Sequence, residues 1–303
     1  MANSPLAVGL ALYATLAFGA GFVLTQFALR WMPPRLGVAF SIPTATLSFW
    51  CLAPFLVAPA EVDMKAAALF ACVGLLFPGA VALLNFESNR LLGPNVAGTV
   101  GGLAPLFAVM LAVLLLGERL RILQLIGIAA IVAGVVLMYR GQFLSLSLPR
   151  LPGRVGWGAA TGAWLLALPL GSAAIRGFVQ PVIKLGLERW HNPIAAVVIG
   201  YTVSSAVLLA AALWPRGTRA RGPDYRGVLW FAAVGLCNGS AVLSMCAALG
   251  RGPVTLVSPL IATYPLVTLL LSRQCVQRER LDARLVAAVA MTIGGVVLLL
   301  VTD

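Results

Sequence analysis

G-E-R-L-R-I-L-Q-L-I-G-I-A-A-I-V-A-G-V-V-L-M, residues 117–138, returns in weaker form at 278–298, where R-E-R-L and G-G-V-V-L stand for G-E-R-L and A-G-V-V-L. Upstream, L-F-A-C-V-G-L (69–75) returns as W-F-A-A-V-G-L (230–236). The three matches share one offset of 161 positions (69 to 230, 117 to 278, 133 to 294). Nearer the start, G-F-V at 21–23 meets G-F-V at 177–179 and Pro34 meets Pro193, with small gaps. Ordered matches at nearly one offset mark a duplicated unit. The chain divides into halves of roughly 1–140 and 156–303, with residues 141–155 (opening G-Q-F-L-S-L-S-L-P-R-L-P-G-R) as the linker.

The composition says what each half is made of. Of 303 residues, 61% are hydrophobic and only 10% charged, against about 25% charged in a soluble domain. A soluble core cannot absorb so much apolar side chain, so the chain reads as an integral membrane protein. Nine charge-free windows are long enough to cross a bilayer: Ser4–Leu29, Gly37–Ala60, Ala66–Phe86, Asn95–Leu116, Ile122–Tyr139, Pro193–Pro215, Gly227–Gly250, Gly252–Ser272 and Leu285–Thr302. A tenth, Val155–Ile175, runs into Arg176 and is expected to continue to about Leu187. Lipid offers no hydrogen-bond partners, so the spans must be helices; the continuous apolar runs exclude the alternating pattern of an outer-membrane barrel. The expected fold is all-α, ten transmembrane helices, five in each half. Five is odd, so the second half enters the membrane inverted, a construction shared with secondary transporters that bind their load between two like halves.

The net charge of +12 does not point to nucleic acid, because the basic residues are scattered through the loops between spans. Fourteen fall in the odd-numbered loops and six in the even-numbered ones, which by the positive-inside bias puts both termini outside the cytoplasm. Five cysteines without C-x-x-C spacing suggest neither a disulfide framework nor a metal site. The start lacks the basic region of a signal peptide. No P-loop is present. No metal and no cofactor is implied.

Ten spans in two five-span repeats, the 117–138 motif with its second copy, and the pairs A-P (104–105) and Y-P (264–265) resemble the drug/metabolite transporter superfamily, in particular its ten-span EamA-type exporters, and within them the aromatic amino acid exporters. The resemblance covers nearly the whole chain. It implies a basket of helices around a central cavity in a cell inner membrane, a small-molecule substrate and export of amino acids. It also implies cytoplasmic termini, against the charge count, so orientation stays open, as does oligomeric state, a monomer being sufficient.

All nine carboxylate side chains fall in loops or at span ends, and the one histidine, His191, lies in an expected loop. Proton-driven pumps commonly load a buried Asp, Glu or His, so facilitated movement fits better than proton coupling. The same absence argues against an enzyme, which needs a nucleophile with its base, a metal cluster or acid–base carboxylates; an intramembrane enzyme or lipid-handling protein acting on an isoprenoid or lipid headgroup is the alternative.

Arg176 is the anomaly, a cation following a long charge-free run. Its guanidinium could clamp a substrate carboxylate, which suits its fork geometry. It could instead snorkel to the headgroups if its span ends near Ala174, or cap carbonyls freed at Pro181. Further candidates for substrate contact are Gln26, Asn85, Thr99, Ser172, Asn238, Ser244 and Tyr264 as polar groups, and Phe18, Phe77 and Trp164 as apolar walls. Each polar group could equally join two helices, and Trp164 could be ordinary packing. Pro78, Gly79, Gly101, Gly102, Pro169, Gly171, Pro259 and Pro265 interrupt spans and are candidate hinges. The spacings Gly98/Gly102, Gly158/Gly162 and Gly235/Gly239 allow close helix contact, within the chain first and between copies second.

Overall fold

The computed structural model describes residues 5–57, 62–144, 159–213, 224–275 and 283–302. Among them are twelve helices and no strand: α1 (Pro5–Ala28), α2 (Pro34–Leu56), α3 (Met64–Leu76), α4 (Gly79–Gly101), α5 (Ala104–Leu116), α6 (Ile122–Leu144), α7 (Ala159–Arg189), α8 (Pro193–Leu213), α9 (Tyr225–Leu249), α10 (Val254–Ile261), α11 (Tyr264–Cys275) and α12 (Ala283–Thr302). Among the described residues six helical stretches are long and apolar enough to cross a membrane: Pro5–Ala28, Pro34–Leu56, Met64–Leu92, Pro193–Ala210, Tyr225–Leu249 and Val254–Ser272. Ala104–Leu116, Ile122–Leu137 and Ala287–Val301 are shorter apolar helices. Of the expected linker, 141–144 continues α6 as helix; the rest, 145–155, lies outside the described residues.

Helix starts follow from local chemistry. Asp63 accepts from the Ala66 amide (2.8 Å) at the head of α3, and Asp224 accepts from the Arg226 amide (2.9 Å) at the head of α9. These two N-caps, which satisfy amides that a helix leaves free, are again 161 positions apart (63 to 224). Prolines set the breaks. Phe77, before Pro78, is extended (φ −128°, ψ 131°) and ends α3, as the crowding of a proline on its predecessor requires. Gly101 closes α4 and Ile261 closes α10, each four residues before a proline (Pro105, Pro265) that has no amide to return to that carbonyl.

One stretch departs from the sequence expectation. Residues 87–94 were to join two spans, yet α4 runs through them unbroken. Glu87 and Arg90 pair at the helical i, i+3 spacing (2.8 Å), and the chain gives way instead at Phe77–Pro78 and at Gly102–Leu103.

The packing is reciprocal between the halves. In the α6–α12 contact, a side chain at Gly134 would press on the Ala288 carbonyl, and one at Gly295 on the Gly127 carbonyl; the offset carries Gly134 to Gly295 and Gly127 to Ala288. Gly74 of α3 rests against Gly200 of α8, while its counterpart Gly235 of α9 rests against Ser41 of α2. Gly177 seats α7 on the start of α5, and Gly19 seats α1 on α11. Gly239 also faces α2, at Ala45 and Phe49, so the Gly235/Gly239 pair serves packing within the chain.

Candidate functional site

Helices α1, α2, α4, α7, α8 and α9 and the α3–α4 corner line a cavity of about 50 Å³. Its walls are mostly aromatic and aliphatic: Phe18 and Phe22 from α1, Phe77 at the corner, Phe86 from α4, Tyr201 from α8 and Val242 from α9. Both halves contribute. Sites for drug-sized ligands span roughly 300–1,000 Å³, so the helices must part before such a solute enters.

Among the described residues that line the cavity, Arg176 is the only charged one. It lies in the interior of α7, which continues to Arg189 rather than ending near Ala174, and it is 5% exposed. The guanidinium carbon sits 5.6 Å from the Phe18 ring centre and 5.5 Å from that of Tyr264, each within cation–π range. Among the described residues no carboxylate lies within 4.0 Å of it, and its Nη1 has no hydrogen-bond partner. Tyr264 is also its hydrogen-bond partner, yet with Nη1 unpartnered the buried guanidinium keeps unspent hydrogen-bonding capacity.

Of the other sequence candidates, Phe18, Phe77, Asn85 and Asn238 line the same cavity, and so does Pro78. The Asn85 Oδ1 accepts from the Ser172 hydroxyl (2.6 Å), which ties α4 to α7 beside the cavity rather than leaving Ser172 open to it. Tyr264 is 1% exposed and stacks on Phe22 (5.1 Å, 19°), backing the cavity wall. Asn238 lies so close to Gly21 that any side chain there would collide with it. Gln26 does not line the cavity, although its Nε2 is buried without a partner. Ser244 donates to the Leu10 carbonyl (2.8 Å) and joins α9 to α1. The side chains of Thr99 and Trp164 lie outside the described residues.

Of the hinge candidates, Pro78 and Gly79 flank the α3–α4 corner, where the Gly79 amide donates to Ser204 Oγ (2.9 Å). Gly101 and Gly102 stand at the α4–α5 break, and Pro259 and Pro265 flank the α10–α11 break. Pro169 and Gly171 interrupt nothing, since α7 continues through both.

The sequence reading missed Phe22, Ser41, Phe86, Asn89 and Tyr201, all on the cavity wall. Asn89 was passed over because it fell in an expected loop; with α4 unbroken, it stands one helical turn after Asn85 on the same face. For Ser41, one hydroxyl among many, no signal in the sequence distinguishes it.

A second space of about 520 Å³ lies where α5, α7 and α9 end, walled in part by Glu118, Lys184, Glu188, His191 and Arg251. Here the Glu118 carboxylate accepts from the Val254 and Thr255 amides (2.8 and 2.9 Å) at the head of α10. Lys184 Nζ lies 3.6 Å from Glu118 and donates to the Gly252 carbonyl (2.7 Å). The glutamate of the G-E-R-L motif thus caps a helix of the opposite half.

A crystal structure described only as that of a protein superposes with a TM-score of 0.71 at 19% sequence identity, covering 98% of this chain and 96% of that one; the likeness concerns the fold alone. Among curated proteins none matches. The EamA-like transporter family matches over residues 5–140 and again over 162–301. An all-helical bundle with apolar spans, matched in both of its halves, belongs to that EamA-like transporter family, and the protein is a multi-pass membrane transporter.

Proposed function

We propose that the protein exports small organic solutes carrying a carboxylate and an apolar body, aromatic amino acids and their relatives among them, across a cell inner membrane by alternating access. Arg176 carries this reading: a buried cation, unpaired by any described carboxylate, on the wall of a cavity that is otherwise aromatic and aliphatic. Guanidinium forks suit carboxylates, and the rings suit an apolar side chain.

Ten spans, arranged as inverted five-span repeats at 1–140 and 156–303, are part of the proposal. The reciprocal glycine contacts, the paired aspartate caps and the matched proline breaks support it. The α3–α4, α4–α5 and α10–α11 breaks are the proposed hinges, each at the end of a helix that would have to swing for the cavity to open.

Transport is facilitated. Among the described residues no carboxylate or histidine lines the cavity to carry a proton. Purified protein in liposomes tests both points. Labelled phenylalanine and related carboxylates should equilibrate down their own gradients, and Arg176→Gln should abolish this. Uphill accumulation driven by a pH gradient alone would overturn the facilitated mechanism; carboxylate transport unchanged in Arg176→Gln would overturn the clamp.

A further inference from the structure

Three buried polar atoms around the cavity lack partners: Arg176 Nη1, Asn89 Nδ2 and Ser41 Oγ. Two are obligate donors, and a hydroxyl can donate. The four other partnerless atoms among the described residues, the donors Gln26 Nε2 and Trp190 Nε1, the acceptor Gln180 Oε1 and the hydroxyl Ser258 Oγ, belong to residues that do not line it. The Asn85 carbonyl already receives Ser172, and Thr25 spends its hydroxyl on the Gly21 carbonyl (2.7 Å). Among the buried partnerless atoms of the lining the unmet demand is therefore for an acceptor, and the lining carries a net positive charge with no described anion to offset it.

An amino acid brings two charges to such a place. Its carboxylate meets the donors. Its ammonium, a donor of three hydrogens with no acceptor capacity, meets ring faces and a second cation at Arg176, and none of the partnerless lining nitrogens can accept from it. An organic monoanion meets the donors, neutralises the guanidinium and buries nothing else that is charged.

From this we infer that the cavity selects organic monocarboxylates that lack an ammonium group over the corresponding amino acids. The inference rests on the carboxylate reading above and narrows it. Asn89 and Ser41 share the anion with Arg176, and the aromatic walls take the apolar body. Because the guanidinium stays with the protein, each such solute carried moves one negative charge, whereas a zwitterion moves none.

Three probes share one phenyl ring: phenylpropionate, phenylalanine and phenethylamine. Their uptake by proteoliposomes of the full chain is read above protein-free vesicles, at neutral pH and under an imposed potassium diffusion potential. Phenylpropionate should exceed phenylalanine by about tenfold or more in transport efficiency, should respond to the potential, and phenethylamine should not be carried. Arg176→Gln should lose phenylpropionate transport, Arg176→Lys should retain part of it, and Asn89→Leu should narrow the preference. Size-exclusion elution as a single folded species qualifies each variant. Phenylalanine carried as well as or better than phenylpropionate overturns this inference and leaves the proposed function standing. Failure to carry either carboxylate overturns both. Preference for inorganic phosphate over phenylpropionate, measured in parallel, also overturns it.

Discussion

Tyr264, the first residue of α11, lays its hydroxyl against Gly101, the last residue of α4. The broken span of one half thus meets the broken span of the other, and the same tyrosine ring carries the Arg176 guanidinium at 5.5 Å. The cation on the cavity wall and the two breaks are one connected structure.

That contact predicts a coupled pair. In Gly101→Ala the new methyl meets the tyrosine hydroxyl, so transport should fall several-fold. Tyr264→Phe removes the hydroxyl and keeps the ring. The double variant should recover part of the loss, a coupling of about 1 kcal/mol, measured as transport rates in liposomes.

Arg176→Gln separates function from stability. Carboxylate transport should fall by at least about tenfold. The apparent melting temperature in detergent should hold or rise, because replacing an unpaired buried charge often leaves a protein no less stable. A large drop in melting temperature would assign Arg176 to the architecture instead.

Adjacent glycines of G-G-V-V-L should behave oppositely. A methyl at Gly295 would lie 2.7 Å from the Gly127 carbonyl and 2.9 Å from Ile131, both on α6. Gly295→Ala should cost about 1–3 kcal/mol by overpacking. Gly294 has nothing within 4 Å, so Gly294→Ala should be neutral. Thermal unfolding of the two variants side by side decides it.

Glu118→Ala removes the cap from two amides of α10 and the ionic partner of Lys184. The expected loss is about 1–2 kcal/mol, with Glu118→Gln retaining part of it through one remaining acceptor. Thermal unfolding and proteolysis around Gly252 check the loosening at that end of α10.

Much of this organisation was readable in advance where a single segment carries it. The apolar windows anticipated most helices, because each span must close its own backbone hydrogen bonds. The A-P and Y-P pairs stood where α5 and α11 begin. The 87–94 segment was misjudged because Glu87 and Arg90 read as charges leaving the membrane, whereas at i, i+3 they pair along an unbroken helix. That error concealed Asn89. Arg176 drew notice by charge alone, but its two ring neighbours come from α1 and α11, far away in the chain.

From the sequence alone came the membrane class, the helical spans and the 161-residue repeat, since composition, run length and offset are properties of the chain in order. Which polar atoms share a cavity was decided only by the tertiary structure. A helix that is apolar on nearly every side has no polar face to betray its orientation. Close approach of small residues between helices sets that orientation instead, so Ser41 comes to Gly235, Asn238 to Gly21, and Arg176 to an aromatic cavity without a carboxylate among the described residues that line it.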